Sequence, residues 1–136
     1  MDLSKSMAVA ASGMRAQTER MKIIAENIAN ANSTSPTPGG DPYRRKIATF
    51  KSEFDRELGA TTVNAGKPVN DRKDFRTRYD PGNPNADKQG YVKLPNVDSL
   101  VEIMDMREAQ RSYEADLTVM DSTKQMLAKT VDLLKR

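Results

Sequence analysis

The placement of proline and glycine constrains the fold of this chain more than any other feature of its sequence. All seven prolines and six of the seven glycines lie between residues 33 and 97. Proline lacks the backbone N–H that a helix needs and glycine is too flexible to favour one, so both interrupt long helices. The stretches 3–32 and 98–136, in which Gly13 is the single exception, can therefore form long helices.

The first stretch carries a repeat with alternating spacings of four and three residues. Its members are Leu3, Met7, Ala10, Met14, Gln17, Met21, Ile24 and Ile28, of which Gln17 alone is polar. Such an a/d heptad pattern is typical of a helix that packs along one seam. We predict a helix over 3–32, about 45 Å long, with Ser4 or Ser6 as a candidate cap.

The last stretch repeats in the same way. Its series is Ile103, Met106, Gln110, Tyr113, Leu117, Met120, Lys124, Leu127, Val131 and Leu134. Asp98 or Ser99 is the candidate N-cap, and Glu102 stands three residues after Ser99, as in a capping box. Two heptad seams at opposite ends of one small chain predict a helical bundle that neighbouring copies or partners complete.

The middle, residues 33–97, is rich in turn residues. Short extended segments are predicted over 43–54, 75–79 and 91–94, because aromatic or β-branched residues recur there. The predicted fold class is therefore mainly α. It has long N- and C-terminal heptad helices packing as a coiled-coil or helical bundle, with a small β-containing, loop-rich middle segment. The predicted domains are 1–32 with 98–136, and 33–97.

The composition excludes several kinds of active site. The chain has no cysteine and no histidine, so it offers no thiolate nucleophile, imidazole base, disulfide or zinc site of the usual ligands. No motif holds a phosphate or another cofactor, since Gly39-Gly40 lacks the strand–turn–helix setting of a phosphate loop. We predict a protein that is not an enzyme, with no catalytic, cofactor-binding or metal-binding residues.

Charge and hydropathy limit the partners. The net charge is +3, with 22 basic and 19 acidic residues interleaved along the chain, which disfavours nucleic-acid binding. The apolar run Met7–Ala11 is too short for a leader or a membrane span, so we expect no direct membrane insertion and no cleaved leader. Hydrophobic residues make up 37% of the chain and aromatic residues 5%, so an isolated monomer should be marginally stable.

Two motifs near the N-terminus are distinctive. Residues 12–17 read SGMRAQ and residues 24–33 read IAENIANANS. In this order they resemble the N-terminal signature of the bacterial flagellar rod and hook proteins, the flagellar axial protein family. Within that family, GDPYRRK at 40–46, LPNV at 94–97 and MDMREAQRSYEA at 104–115 are similar to the proximal-rod member. Ser33 stands where threonine is usual, and Asp116 where asparagine is usual.

The resemblance implies a structural subunit of the basal-body proximal rod, which assembles helically through its terminal helices into the drive shaft that transmits torque. It also implies a periplasmic location and export through the flagellar type III apparatus without a cleaved signal peptide. The implied partners are copies of the chain, other rod proteins (FlgB, FlgF and FliE-like neighbours) and the export apparatus. Two alternatives stay open: another rod subunit similar to FlgB or FlgF, and a helical adaptor or regulatory module that binds one partner.

The predicted assembly interface combines the two seams with the asparagine run at the end of the first helix. In the first helix it comprises Leu3, Met7, Met14, Met21, Ile24, Asn27, Ile28, Asn30 and Asn32. In the last helix it comprises Ile103, Met106, Tyr113, Leu117, Met120, Leu127, Val131 and Leu134. The amides of the asparagines can either satisfy the last carbonyls of the helix or pair across a subunit boundary.

Overall fold

A computed structural model describes residues 2–136 of the chain. Two helices, α1 (Leu3–Ala29) and α2 (Ser99–Leu134), enclose six short strands in sequence. The strands are β1 (Lys46–Ile47), β2 (Phe50–Asp55), β3 (Ala60–Ala65), β4 (Val69–Asn70), β5 (Arg76–Tyr79) and β6 (Tyr91–Leu94). Neither helix has an apolar stretch that is long enough to cross a membrane.

Polar side chains cap the ends of both helices. Asp2 begins α1, since its Oδ1 accepts hydrogen bonds from the backbone N–H groups of Ser4 and Lys5 at 3.0 and 3.3 Å, so the predicted serine cap is wrong. Asp98 caps α2 as predicted, through the N–H of Leu100 at 3.0 Å. At the end of α1, Asn30 Nδ2 donates to the Glu26 carbonyl at 2.8 Å, which confirms that an asparagine satisfies a terminal carbonyl.

The strands form three separate two-stranded antiparallel sheets, β1–β4, β2–β3 and β5–β6. The β2–β3 hairpin turns over residues 55–60, where Asp55 Oδ1 accepts from the N–H of Glu57 at 2.9 Å and Gly59 adopts a positive φ of 68°. In β6 the side chains alternate, with Val92 and Leu94 buried. The predicted extended segments therefore correspond to strands, whereas β3 and β4 were not predicted.

The chain folds into two compact units. The first unit contains the chain up to Met21, Thr49–Lys67 and Arg107–Arg136; the second contains Lys22–Ala48 and Pro68–Met106. Each unit thus combines a part of both helices with strands from the middle. The predicted division into 1–32 with 98–136, and 33–97, stays a prediction.

The two units have different interiors. The first buries small residues of its helices, chiefly Ala10, Ser12, Ala16, Ala109 and Thr123. The second buries larger apolar residues, namely Ile23, Ile24, Val92, Leu94 and Val97, together with several polar side chains. The helical part of the first unit therefore has an interior of small residues and not of large apolar groups.

The predicted fold class is wrong. Helices account for 47% of the structure and strands for 18%, in small antiparallel sheets, so strands are a regular part of both units and not a minor feature of a loop-rich segment. Within the chain the predicted seam of α2 is only partly covered: Met106, Tyr113 and Met120 are half-buried, whereas Ile103, Leu117, Leu127, Val131 and Leu134 are exposed. The stripe of α2 that is buried contains Glu102, Ala109 and Thr123 instead. A hydrophobic repeat cannot reveal a stripe made of small and polar residues.

Candidate assembly interface

A cluster of charged side chains lies in the interior of the second unit. Glu102, in the first turn of α2, is completely buried. Its Oε1 accepts a hydrogen bond from Arg45 Nε, and the same guanidinium reaches Asp71 Oδ2 at 3.2 Å and Asp105 Oδ2 at 3.4 Å. One arginine thus joins three carboxylates, from α2 and from the loop that follows β4.

The electrostatic effects of this cluster follow from its geometry. Burial lowers the pKa of Arg45, but the hydrogen bond and charge of Glu102, with a further contribution from Asp71, outweigh it and leave that pKa raised. The backbone N–H of Lys73 and the Arg45 guanidinium lower the pKa of Asp71. Both groups are therefore held firmly in their charged forms, which suits a fixed structural contact and not a proton-transfer group.

Asn27, on the last turns of α1, uses its entire hydrogen-bonding capacity. Its Oδ1 accepts from Tyr43 Oη at 2.7 Å and from the N–H of Lys46 at 3.0 Å. Its Nδ2 donates to the carbonyl of Lys46 at 2.8 Å and to Glu102 Oε2 at 3.4 Å. A side-chain amide has two donor and two acceptor positions, so Asn27 ties α1, β1 and α2 together without an unpaired polar atom.

Asn96 has the same role in the segment between β6 and α2. Its Oδ1 accepts from the N–H of Arg45 at 2.8 Å, and its Nδ2 donates to the carbonyls of Asp71 and Lys73 at 3.1 and 3.0 Å. The cluster built on Arg45, Glu102, Asn27 and Asn96 is therefore a connected network in which each side chain has at least two hydrogen-bond partners. In residues 2–136, no group of His, Cys, Asp or Glu side chains has an arrangement suited to a metal ion.

In the first unit, α1 and α2 meet at Gly13 and Asp116. A Cβ atom at Gly13 would stand 2.5 Å from Asp116 Oδ2 and 3.1 Å from its Cγ, so glycine provides the space that the carboxylate occupies. Burial raises the pKa of Asp116, because the ionised form loses hydration there.

The surface of α2 carries many large apolar side chains that no part of the described chain covers. They are Leu100, Val101, Ile103, Met104, Leu117, Val119, Met126, Leu127, Val131, Leu133 and Leu134. Beyond Thr123, every residue of α2 is exposed. Isolated exposed apolar residues are normal on a monomer, whereas this series along one helix leaves an apolar surface that another protein can cover.

The predicted interface residues fall into three groups. Ile24 and Asn27 are buried inside the second unit, so they stabilise the subunit itself. Those that are half-buried are Leu3, Met7, Met14, Met21, Ile28, Asn30, Met106, Tyr113 and Met120. Those that are exposed are Asn32, Ile103, Leu117, Leu127, Val131 and Leu134. Whether they form an interface between subunits stays a prediction.

Sequence reasoning missed the partners of the charged cluster. Glu102 stood in the pattern of a capping box, but its carboxylate contacts Arg45 and Asn27 and not the start of the helix. Arg45 lies in the GDPYRRK motif at 40–46, from which no ion pair with α2 was predicted. No local signal could identify the pair, because 57 residues separate its members in the sequence.

Comparisons with known proteins agree with this architecture. Residues 7–35 match the family described as flagella basal body rod protein, and residues 88–133 match the family described as flagellar basal body rod FlgEFG protein C-terminal. These two regions include most of α1 and most of α2, and they contain the motifs at 12–17, 24–33, 94–97 and 104–115, whereas the motif at 40–46 lies between them.

Full-length relatives extend the match to nearly the whole chain. The chain is 53% identical over 133 residues to the flagellar basal-body rod protein FlgC of Agrobacterium fabrum, covering 98% of this chain and 96% of that protein. It is 36% identical to the FlgC of Aquifex aeolicus, with 99% of each covered, and 37% identical to that of Bacillus subtilis, with 96% and 97% covered. These findings confirm the resemblance, and the chain belongs to the FlgC family of rod proteins, which are structural components of the bacterial flagellar basal body.

Proposed function

We propose that this chain is a non-enzymatic structural subunit of the proximal part of the flagellar rod, where it transmits torque as part of the drive shaft. Family membership supports the rod assignment. The polar cluster supports the non-enzymatic part, because its charged residues contact one another and the side-chain amides of Asn27 and Asn96. The subunit assembles helically with copies of itself and with neighbouring rod proteins of the FlgB, FlgF and FliE-like kinds.

The observation that carries this proposal is the uncovered apolar surface of α2. Its last eleven residues, 124–134, are all exposed, and they include Met126, Leu127, Val131, Leu133 and Leu134. The free energy that their burial provides is available to an intermolecular contact. Contacts between unlike surfaces, repeated by a rotation that does not close, generate an open helical array, which is the arrangement that a rod requires.

The proposal also covers the route by which the subunit reaches the rod. A periplasmic rod grows outside the cytoplasm, so its subunits need an export apparatus. The chain has no cysteine that could form a disulfide before or during passage, and its interior contains few large apolar residues. Both features suit passage in an unfolded state through the flagellar type III apparatus, without a cleaved signal peptide.

The assembly role of α2 can be tested with Leu127→Asp. Leu127 is 44% exposed, so the change should alter the free energy of unfolding of the isolated subunit by about 0.5 kcal/mol or less. In the rod, the same carboxylate would lie in a desolvated contact, where an unpaired charge is costly. We expect the variant to be made and folded as the parent is, while the cells lose rods and swimming motility.

Gln125→Asp provides the matched control. It introduces the same negative charge two residues away, and at 100° per residue it lies on nearly the opposite side of α2 from Leu127. Residue 125 is also exposed. We expect near-parental swimming from this variant in a soft-agar assay. Equal motility of the Leu127→Asp variant and the parent would exclude this surface of α2 from rod assembly.

A further inference from the structure

Strand β2 presents an open edge in the structure. It pairs with β3 in a two-stranded sheet, and all six of its residues are exposed, including Phe50 at 43% and Phe54 at 60%. Within residues 2–136, no strand or helix other than β3 pairs with its backbone. An open strand edge is a template for pairing with another chain unless the protein blocks it.

The hydrogen bonds of the hairpin identify which groups point outward from this edge. The N–H of Val63 donates to Ser12 Oγ at 3.2 Å, so it points away from β2. Val63 is paired with Ser52, and in a pair of this kind the backbone N–H and C=O of both residues point away from the other strand. The N–H of Gly66 donates to the Thr49 carbonyl at 2.8 Å, so the carbonyl of Thr49 points toward β3. Because the pattern alternates along an antiparallel pair, the backbone groups of Phe50, Ser52 and Phe54 point outward.

The sequence of β2 is complementary to itself about Ser52. If a second copy pairs antiparallel with Ser52 opposite Ser52, then Phe50 stands opposite Phe54, and Lys51 stands opposite Glu53. The three outward-pointing residues of each strand then form six backbone hydrogen bonds across the new edge. The aromatic residues meet on one face and the opposite charges meet on the other, and both kinds of cross-strand pair are favourable.

We propose that the free subunit forms a two-fold dimer through the outer edges of β2, which creates a four-stranded antiparallel sheet from two hairpins. The occupant of this edge is thus a second copy of the chain. Neighbouring subunits of a helical rod are related by a rotation and a rise that can be repeated without end, whereas a two-fold contact closes on itself with two copies. On the rod function proposed above, the dimer therefore belongs to the subunit before export, and it covers two exposed phenylalanines and an open strand edge until the subunit unfolds for passage.

Charge reversal at the edge tests the proposed register. Residue 51 of each copy faces residue 53 of the other, so the dimer has two such contacts. With Lys51→Glu both contacts join two glutamates, and with Glu53→Lys both join two lysines. We expect each variant alone to weaken the dimer about tenfold in sedimentation velocity, since both cross-strand contacts become repulsive. An equimolar mixture of the two variants places glutamate opposite lysine at both contacts, so the mixture should dimerise as the parent does. A general folding defect could not produce this recovery.

A proline variant and an alanine variant of Ser52 test the backbone contact. Ser52→Pro removes an N–H that points outward, so β2–β3 pairing is kept while the centre of the dimer contact is lost. Ser52→Ala leaves the backbone intact. We expect the proline variant to stay monomeric at concentrations where the parent and the alanine variant dimerise, with unchanged circular dichroism.

Cross-linking identifies the occupant directly, because the chain has no cysteine of its own. Ser52→Cys places two thiols on opposite residues whose Cα atoms are about 5.5 Å apart, within reach of a disulfide, so mild oxidation should give a covalent dimer. Thr61→Cys is also exposed on β3, but its two copies would be three strand spacings apart, about 14 Å across the sheet, and would also be displaced along the strands. They should not cross-link. A monomeric parent at every concentration, equal cross-linking at both positions, or cross-linking of residue 52 only to a different flagellar protein would overturn the proposal.

Discussion

The charged side chains of this subunit differ widely in what they contribute. Arg78 and Asp80 stand 3.7 Å apart with about half of each side chain exposed, a setting in which an ion pair contributes about 0–1 kcal/mol. Glu102 has no exposure, and its hydrogen bonds come from Arg45 and Asn27. Its ionised carboxylate is tolerated only because those groups replace the water that burial removes.

Removal of Arg45 should therefore destabilise the subunit severely. Arg45→Met keeps much of the side-chain volume, but it leaves the Glu102 carboxylate with one amide donor at 3.4 Å. We expect the free energy of unfolding in urea to fall by about 3–5 kcal/mol, the usual cost of an unpaired buried charge. Arg78→Ala, which removes an exposed arginine, should cost about 0.5 kcal/mol or less.

A second substitution distinguishes the lost charge pair from lost packing. In the Arg45→Met background, Glu102→Gln removes the buried charge and should recover more than about 1 kcal/mol, although the same change should destabilise the parent. If Glu102→Gln destabilises both backgrounds equally, the effect of the Glu102 charge on the free energy of unfolding does not depend on Arg45.

The two helices show how far an element can be predicted from its sequence. The long stretches free of proline predicted α1 and α2, and Asp98 was one of the two predicted caps of α2. The face that packs could not be predicted, since α2 buries Ala109 and Thr123 while its large apolar residues remain exposed. Strand β3 was missed because its sequence, ATTVNA, has no strong alternation, and its pairing depends on β2. The polar cluster depends on contacts between residues distant in sequence, which a local pattern does not contain.

The contact between Gly13 of α1 and Asp116 of α2 can be tested by substitution. Alanine in place of a helical glycine normally stabilises a helix by about 1 kcal/mol. Here the added methyl group would stand 2.5 Å from Asp116 Oδ2, and overpacking costs about 1–3 kcal/mol. We expect Gly13→Ala to reduce the free energy of unfolding by about 1 kcal/mol.

The same substitution should change sign when the obstacle is removed. In an Asp116→Ala background the clash is absent, and Gly13→Ala should stabilise the subunit by about 1 kcal/mol. Urea unfolding of the four proteins measures this coupling. If Gly13→Ala has the same sign in both backgrounds, Asp116 does not limit how closely the helices approach.

At the scale of the whole molecule, the small interior is the dominant property. Of the nine buried hydrophobic residues in the described part of the chain, four are alanines, at positions 10, 16, 31 and 109. Such a core provides little of the free energy that offsets the entropy of the chain. The polar cluster adds little net stabilisation, because the desolvation of its charges offsets much of their attraction. The isolated subunit is therefore expected to be marginally stable, and contacts in the rod supply the remaining stabilisation.

This marginal stability leads to a prediction about export. A subunit with a small core and no disulfide unfolds at little cost, so it can pass through a narrow secretion channel and fold again at the growing rod. We expect the full-length protein outside the cytoplasm with Met1 or Asp2 still at its N-terminus, and only in cells with an intact flagellar export apparatus. Fractionation followed by N-terminal mass spectrometry, in parent and export-deficient cells, measures both properties. A processed N-terminus, or equal periplasmic amounts in the two strains, would contradict this route. Protein that stays in the cytoplasm of flagellated cells would instead favour an adaptor that binds its partner there.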